Sequence, residues 1–518
     1  MLAAVSTILL ASLLVGIVLR RISIAYKHGL RSIPGPRLAR FTDAWRVHFV
    51  SRGRAHEDYL ALHDKYGPIV RTAPSAMDIS DPAAIPILYG ASSPFLKSEF
   101  YSLFTMLYEG KTIDSLFSTR DPIRHRNLKR PIAQKFSMSS VRTLEPLVDS
   151  CTRVFLDSMH DLSGEALDLD VWLQWYAFDA IYAMTFSTSP GFVKGRRDVS
   201  GIIGGMDWIL RYAAVVGQIP WLHGWVDPVL KFAMRVGVFD LGPLMIVTEM
   251  VEKAVREYDA ALSEEVAGRQ DFLAYLRQQS KSTGEMLGKS ELQNHLMNNL
   301  LAGSDTTAMA LRAVFYFVVK DGRVYECLQR EIDKADAEGR LGEFVSYSEC
   351  LEMKYLQACI KEALRMHPGV AFPLERVVPP DCTSIPVCGK EYYVPPGTVI
   401  GINPAVVQRD RDVFGADADD FRPERWFVDV SDAGDEARVR RMERTILAFG
   451  AGHRLCTGKH ISLMEMGKFV PQILRNFRVE FADESNREWS VKTYWFAKQS
   501  GMRMKMTPRG KAERKSGD

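Results

Sequence analysis

One stretch limits the possible folds more than any other. From Ser290 to Val319, apolar residues recur at helical spacing (Leu292, Leu296, Leu300, Leu301, Ala310, Phe317, Val318, Val319) until Asp321-Gly322 stops them. Ser290 and Gln293 stand at capping-box spacing, which predicts a helix start there. A helix of about 30 residues is long for a globular protein and must run through the body of one large folded unit. Its centre, Ala302-Gly303-Ser304-Asp305-Thr306-Thr307, is built from poor mid-helix residues; glycine alone costs about 1 kcal/mol against alanine. Local rules broken inside an apolar helix point to a functional site. The 47% hydrophobic and 25% charged content of the 518 residues agrees with a globular chain, and a net charge of +3 excludes the dense cationic surface of a nucleic-acid binder.

The second constraint is Phe449-Gly450-Ala451-Gly452-His453-Arg454-Leu455-Cys456-Thr457-Gly458, where glycines crowd one cysteine ahead of a helical run. Glycines let backbone approach a large flat ligand, and a helix N-terminus favours a thiolate. The seven cysteines are sparse and show no C-x-x-C spacing. That argues against a disulfide scaffold or a cysteine zinc site and suits reduced thiols in a cytosol-facing protein. A lone thiolate fits a cofactor that brings its own remaining ligands, as haem does.

This segment matches F-x-x-G-x-R-x-C-x-G, and on it the chain resembles the cytochromes P-450, the haem-thiolate monooxygenases. Other motifs follow in that family's order. Glu362-Ala363-Leu364-Arg365 is similar to its E-x-x-R, Phe421 to Trp426 to its P-E-R-[FW] segment, and Ala302 to Thr307 to its oxygen-activating [AG]-G-x-[DE]-T-[TS]. The run Tyr66 to Arg71 and the run Gln134 to Ser140 resemble fungal microsomal members of the pisatin-demethylase-like group.

The resemblance implies a mainly α fold with small β-sheets, a triangular helical prism with haem between the long central helix and the cysteine-ligand helix. It implies haem b with Cys456 as axial ligand, Phe449 and Gly450 beside it, and Asp305 and Thr306 relaying protons to dioxygen. Gly303 would leave room over the iron. Arg454, Arg376, His125 and Lys129 (or Arg130) would hold the propionates, and Glu362, Arg365 and Arg425 would form a buried structural ion triad. Substrate contacts are expected at Tyr101, Leu301, Ala302, Val370, Phe372 and Phe496, for a lipophilic small molecule. The implied reaction inserts one oxygen atom from O2, with electrons from NADPH through a separate reductase docking near Arg126, Lys129, Arg130 and Lys459. A haem-thiolate isomerase or dehydratase, and a haem carrier without turnover, remain open alternatives.

Leu2 to Leu19 carries no charge and spans roughly 27 Å as a helix, with Arg20, Arg21 and Lys27 after it. This predicts an uncleaved membrane anchor over 1–21, in the endoplasmic reticulum with the catalytic part in the cytosol. A basic, proline-rich hinge is expected over 22–36, a catalytic domain over 37–507 and a frayed polar tail over 508–518. Short strands are expected at 68–72, 76–80, 377–378, 392–394 and 398–400, and residues 208–251 read as core and surface helices joined by mobile loops.

Overall fold

The computed structural model describes residues 2–109, 111–235, 242–261, 268–283, 287–382 and 384–510. The long helix runs Lys289–Lys320 and passes through the middle of the molecule, with twenty-two of its side chains buried. Its start differs from the capping-box expectation. Gly288 precedes it, Ser290 already lies inside it, and Gln293 donates instead to the carbonyl of Thr248 at 3.2 Å. Its end falls where the sequence places it, and Asp321 caps the next helix, Gly322–Ala337, accepting from the N–H of Arg323 and Val324.

The central helix packs chiefly on Leu169–Phe186 and also on Lys459–Asn476. Leu169–Phe186 is buried on nearly every side, so its apolar residues do not form a stripe. A Cβ on Gly303 would come within 2.7 Å of Ile181 on that helix. This corrects the role expected for Gly303: its missing side chain admits a neighbouring helix, not a flat ligand.

A five-stranded sheet lies beside the helical body in the order Ile69–Ala73, Ala76–Ile79, Val399–Ile402, Arg376–Val377, Leu96–Lys97. The strand expected at 392–394 lies at Lys390–Tyr392, paired with Ile385–Val387. Near the C-terminus, Ser490–Tyr494 and Phe496–Ser500 form a hairpin, and Phe477–Phe481, Arg503–Pro508 and Ala166–Asp168 a three-stranded sheet. Helices Ile202–Val216, Pro220–Arg235 and Gly242–Ala260 occupy most of 208–251; residues 236–241 of that stretch lie outside the described residues.

Both expected domain edges move. The N-terminal helix extends over Leu2–Ala25, and the segment read as a hinge is docked, with Ala25, Leu30 and Ile33 buried. The fully buried Arg71 holds it, donating to the carbonyls of Ile24, Ala25, Leu30 and Pro74 at 2.5–3.2 Å. At the other end, Pro508 closes a strand and Arg509 pairs with Asp333 through its two terminal guanidinium nitrogens, at 2.7 and 2.8 Å. Residues 511–518 of the expected tail lie outside the described residues.

Behind the cysteine segment, Glu362, Arg365 and Arg425 meet in the interior. Arg365 donates to both oxygens of Glu362 at 2.9 and 2.8 Å, Arg425 donates at 2.7 Å and the Trp426 indole at 2.9 Å. The remaining guanidinium hydrogens reach carbonyls of Gln408, Phe414, Asp417, Ala418 and Asp420 and the Asp417 carboxylate. Removing one partner of such a cluster strands charge in a dry interior, at about 3–5 kcal/mol. Glu362→Ala is therefore expected to lower the thermal unfolding midpoint sharply, whereas Glu436→Gln, which breaks an exposed pair with Arg440, leaves it in place. Differential scanning calorimetry checks both.

Candidate haem-binding and oxygen-activating site

The loop ahead of Lys459–Asn476 is shaped by two left-handed glycines, Gly450 (φ +70°) and Gly452 (φ +60°). A Cβ on Gly452 would lie 1.7 Å from the carbonyl oxygen of Tyr89, so only glycine lets the loop rest on the end of the short helix Ile85–Tyr89. The turn brings the Cys456 N–H onto the Phe449 carbonyl at 2.8 Å. Cys456 lies deep in the protein, where burial raises its thiol pKa against the opposing N–H groups of Gly458 and Lys459. Its side chain is nevertheless exposed. A residue both deep and exposed borders an internal space.

The central helix opens at the same level. Ala302 is exposed and Leu301 and Thr306 are half-buried, while Leu300, Ser304, Asp305 and Thr307 are buried. Thr307 meets Ser462 of the cysteine helix at 3.5 Å, which joins the two segments. Ala302 and Thr306, four apart, share one helix face. Thr306 donates its hydroxyl to the Ala302 carbonyl at 2.7 Å. Asp305 leaves the helix in another direction and accepts from the Gln174 amide of Leu169–Phe186. Burial raises its pKa, opposed first by Lys498.

The third element is a group of cations. Strands Leu96–Lys97 and Arg376–Val377 pair so that Lys97 faces Arg376, and like charges directly opposite are unfavourable in a ladder. Both are buried. The Glu375 carboxylate is taken by Arg46 and by Ser98 at 2.6 Å, and only its backbone carbonyl accepts from Arg376, at 2.8 Å. Arg454 joins them, and its Nη1 is buried without a hydrogen-bond partner. Burial, then Arg376, lowers its pKa to about 10; the carboxylate it senses is that of Asp121, an exposed helix cap. His125, on the helix Pro122–Lys129, is pushed to about 3 by burial, then by Arg454, Lys129 and Lys97. Burial likewise drives Lys97 well down, with Arg376 and Arg454 adding to it. Lys97 donates to the Phe117 carbonyl at 2.5 Å and lies over the Tyr101 and Phe117 rings. Among the described residues, however, no buried carboxylate pairs with Lys97, Arg376 or Arg454, and buried cations without one around an orphaned guanidinium nitrogen call for a multivalent anion. Together with the accessible thiol, they fit the two propionates and the axial position of haem.

Of the residues singled out from the sequence, the structure gathers Cys456, Phe449, Gly450, Arg454, Arg376, His125 and Lys129 around this space. Lys129 is half-buried, whereas Arg130 points outward, so the fourth residue after His125 is the one that faces inward. Lys97 was not anticipated. Its signal is faint, a lone lysine after Phe95-Leu96, and its meaning depends on the strand it pairs with.

The expected substrate contacts divide. Leu301, Ala302, Val370 and Phe496 keep accessible surface, and Val370 bridges to Phe496. Tyr101 and Phe372 do not: both are closed into an aromatic cluster with Phe100 and Trp495. They are corrected from contacts to wall, because a side chain with no accessible surface cannot touch a ligand. Trp495, in a left-handed conformation (φ +73°) and 1% exposed, pins the hairpin tip into that wall.

The family description Cytochrome P-450 matches residues 34–502. The chain is 36% identical over 486 residues to the cytochrome P-450 monooxygenase cicH of Emericella nidulans, covering 93% of this chain and 94% of that relative. It is 38% identical over 491 residues to the cytochrome P-450 monooxygenase gsfF of Penicillium aethiopicum, with the same coverage of both. A third relative, the cytochrome P-450 monooxygenase mpaDE of Penicillium roqueforti, is 35% identical over 508 residues, which is 96% of this chain and 57% of that longer protein. With a thiol, a polar helix turn and an anion cradle meeting at one internal space, and with relatives of this identity over nearly its whole length, the chain belongs to the cytochrome P-450 family of haem-thiolate oxygenases.

Proposed function

We propose that this enzyme is a membrane-anchored monooxygenase of fungal secondary metabolism, placing one oxygen atom from O2 into a lipophilic terpenoid, polyketide or alkaloid. The single observation that carries the site assignment is the thiol of Cys456, deep in the fold yet accessible, beside cations that lack a counter-anion. When bound, the haem supplies dioxygen binding and O–O cleavage, which electron donation from a thiolate favours.

The chain's own side chains do the rest. Cys456 would provide the thiolate that holds the haem iron. Arg454, Arg376, Lys97, His125 and Lys129 would hold the propionates. Thr306 presents a hydroxyl at the open face, and Asp305 holds the proton behind it. Leu301, Ala302, Val370 and Phe496 offer apolar surface that orients a lipophilic substrate and keeps water out. The intact Asp305-Thr306 pair supports oxygen insertion over isomerisation or simple haem carriage.

The helix Leu2–Ala25 is apolar and exposed over most of its length, and Arg20, Arg21 and Lys27 follow its apolar run. These features support single-pass anchorage in the endoplasmic reticulum with the catalytic domain in the cytosol. Electrons are supplied by NADPH through a membrane-bound reductase, whose acidic face meets Arg126, Arg130 and Lys459, Lys129 being turned inward.

Expressed with a reductase in microsomes, the protein is expected to give the red-shifted Soret band of a thiolate carbonyl complex, and Cys456→Ser to abolish it. Turnover of lipophilic candidates under labelled dioxygen should place one labelled atom in the product; its absence would favour the isomerase alternative. Arg126→Glu combined with Arg130→Glu should slow haem reduction severalfold and flatten its dependence on ionic strength. Stopped-flow reduction at two salt concentrations reads both effects.

A further inference from the structure

Upstream of its polar turn, the central helix carries a second run of polar residues. Asn294, Asn298, Ala302 and Thr306 form one i, i+4 row, and His295, seven residues before Ala302, stands on the same face. Leu292, Leu296 and Leu300 lie on the other side of the helix and are buried in the main core. The row holding Ala302 and Thr306 opens onto the internal space beside Cys456, and Asn298 keeps accessible surface as they do. The open face therefore extends at least one turn toward the start of the helix.

The polar groups on this extension lack partners. Asn294 donates its amide to the carbonyl of Asp114 at 2.9 Å. That bond fixes the orientation of the amide and leaves Oδ1 as a buried acceptor with nothing to accept. Nε2 of His295 is also buried and unpartnered. Burial, then Arg124, pushes the pKa of that ring down to about 4, so it is neutral near pH 7. Asn298 makes no hydrogen bond among the described residues, and the half-buried Arg124, on Pro122–Lys129, has no carboxylate partner among them. Buried acceptors normally find a donor inside the protein. Orphans clustered on the open face of a binding space are waiting for a ligand.

We propose that Asn294, His295 and Asn298 determine substrate specificity by binding a hydroxyl group of the substrate, about 12 Å along the helix from Ala302. The lipophilic molecule is thereby tethered at a polar end and presents its apolar end to oxygen insertion. This rests on the monooxygenase reading of the site. A neutral hydroxyl, alcoholic or phenolic, donates to the Asn294 oxygen and accepts from the Asn298 amide at once. A carboxylate would set acceptor against acceptor at Asn294, and an ammonium would meet Arg124. A pure hydrocarbon would leave the buried atoms unpaired, which is how such a site rejects an analogue without the hydroxyl.

The test uses 1-alkylimidazoles graded in chain length and tipped with methyl, hydroxyl or carboxylate. The imidazole ligates the haem iron and the chain serves as a ruler. Each is titrated into the full-length holoenzyme in microsomes and followed by the Soret shift of nitrogen ligation. The hydroxyl tip is expected to bind severalfold more tightly than the methyl tip of equal length, at intermediate lengths only. Asn294→Ala, His295→Phe and Asn298→Ala should each bring that ratio down toward one. The spectrum of the carbonyl complex reports whether each variant keeps its folded site, and Asn298, half-buried and unpartnered, is the position that the fold tolerates best.

A ratio near one at every length, as ordered water already filling the polar row would give, overturns the proposal. So does a hydroxyl preference that survives in Asn298→Ala and Asn294→Ala. A carboxylate tip that outbinds the hydroxyl, and loses its advantage in Arg124→Gln, would assign the row to an anion and overturn the hydroxyl. Methyl-tipped ligands that bind while hydroxyl tips gain nothing sink this inference and leave the haem site standing. If no imidazole of any length shifts the Soret band, the haem site itself fails and the inference falls with it.

Discussion

A 32-residue helix through the core of a protein can carry a polar turn only if most polar groups on that turn are satisfied or open onto space; here the Ser304 hydroxyl alone of the turn's side chains is buried without a partner. In Lys289–Lys320 each outcome occurs on a different face. Gly303 gives way to Ile181, Asp305 is turned to Gln174 and Lys498, and Thr306 folds its hydroxyl back onto the helix where the helix meets the internal space. Side chains one residue apart point about 100° from each other. The acid and the alcohol are therefore adjacent in sequence and divergent in space, and a proton passing between them needs rotation of Asp305 or an intervening water.

Buried charge is handled in two contrasting ways on the two sides of the cysteine segment. In the triad the hydrogens of Arg365 and Arg425 meet Glu362, backbone carbonyls and, at 3.3 Å, the Asp417 carboxylate, so the cluster is self-sufficient and fixes the fold around it. Around Lys97, Arg376 and Arg454 no carboxylate of comparable burial among the described residues answers the charge, since that of Glu375 is committed to Arg46 and Ser98. Such an arrangement is costly until an anion arrives. The difference between a structural charge cluster and a binding one thus lies in which carboxylates are already taken, which no short motif records.

Legibility from the sequence follows the same division. The Cys456 loop was readable because its geometry is local: the left-handed turns at Gly450 and Gly452 fall on glycines, and at Gly452 the approach to Tyr89 admits nothing larger. The long helix was readable from its periodicity. What failed depended on distant contacts. The Ser290 and Gln293 spacing suggested a cap, but Gln293 found a better acceptor on Thr248. Gly303 suggested a ligand, but the packing of Leu169–Phe186 claims it. Lys97 carried almost no signal, because its partner in the ladder lies 279 positions later, at Arg376. Tyr101 and Phe372 had the apolar character of substrate contacts and the burial of core, and composition does not separate the two.

The segment 22–36 shows how far such long-range placement extends. Two prolines made it look like a stiff connector, yet its helix end is clamped by Arg71, whose guanidinium meets carbonyls at the negative end of a helix dipole. Arg71 lies on an outer strand of the five-stranded sheet, Ile69–Ala73, and Lys97 lies on the opposite outer strand, Leu96–Lys97. Ala76–Ile79, Val399–Ile402 and Arg376–Val377 join them by continuous backbone hydrogen bonding. One small sheet therefore holds the end of the N-terminal helix at one edge and the anion-binding cations at the other. The orientation of the catalytic centre relative to that helix is set by strand register and does not depend on the flexibility of a linker.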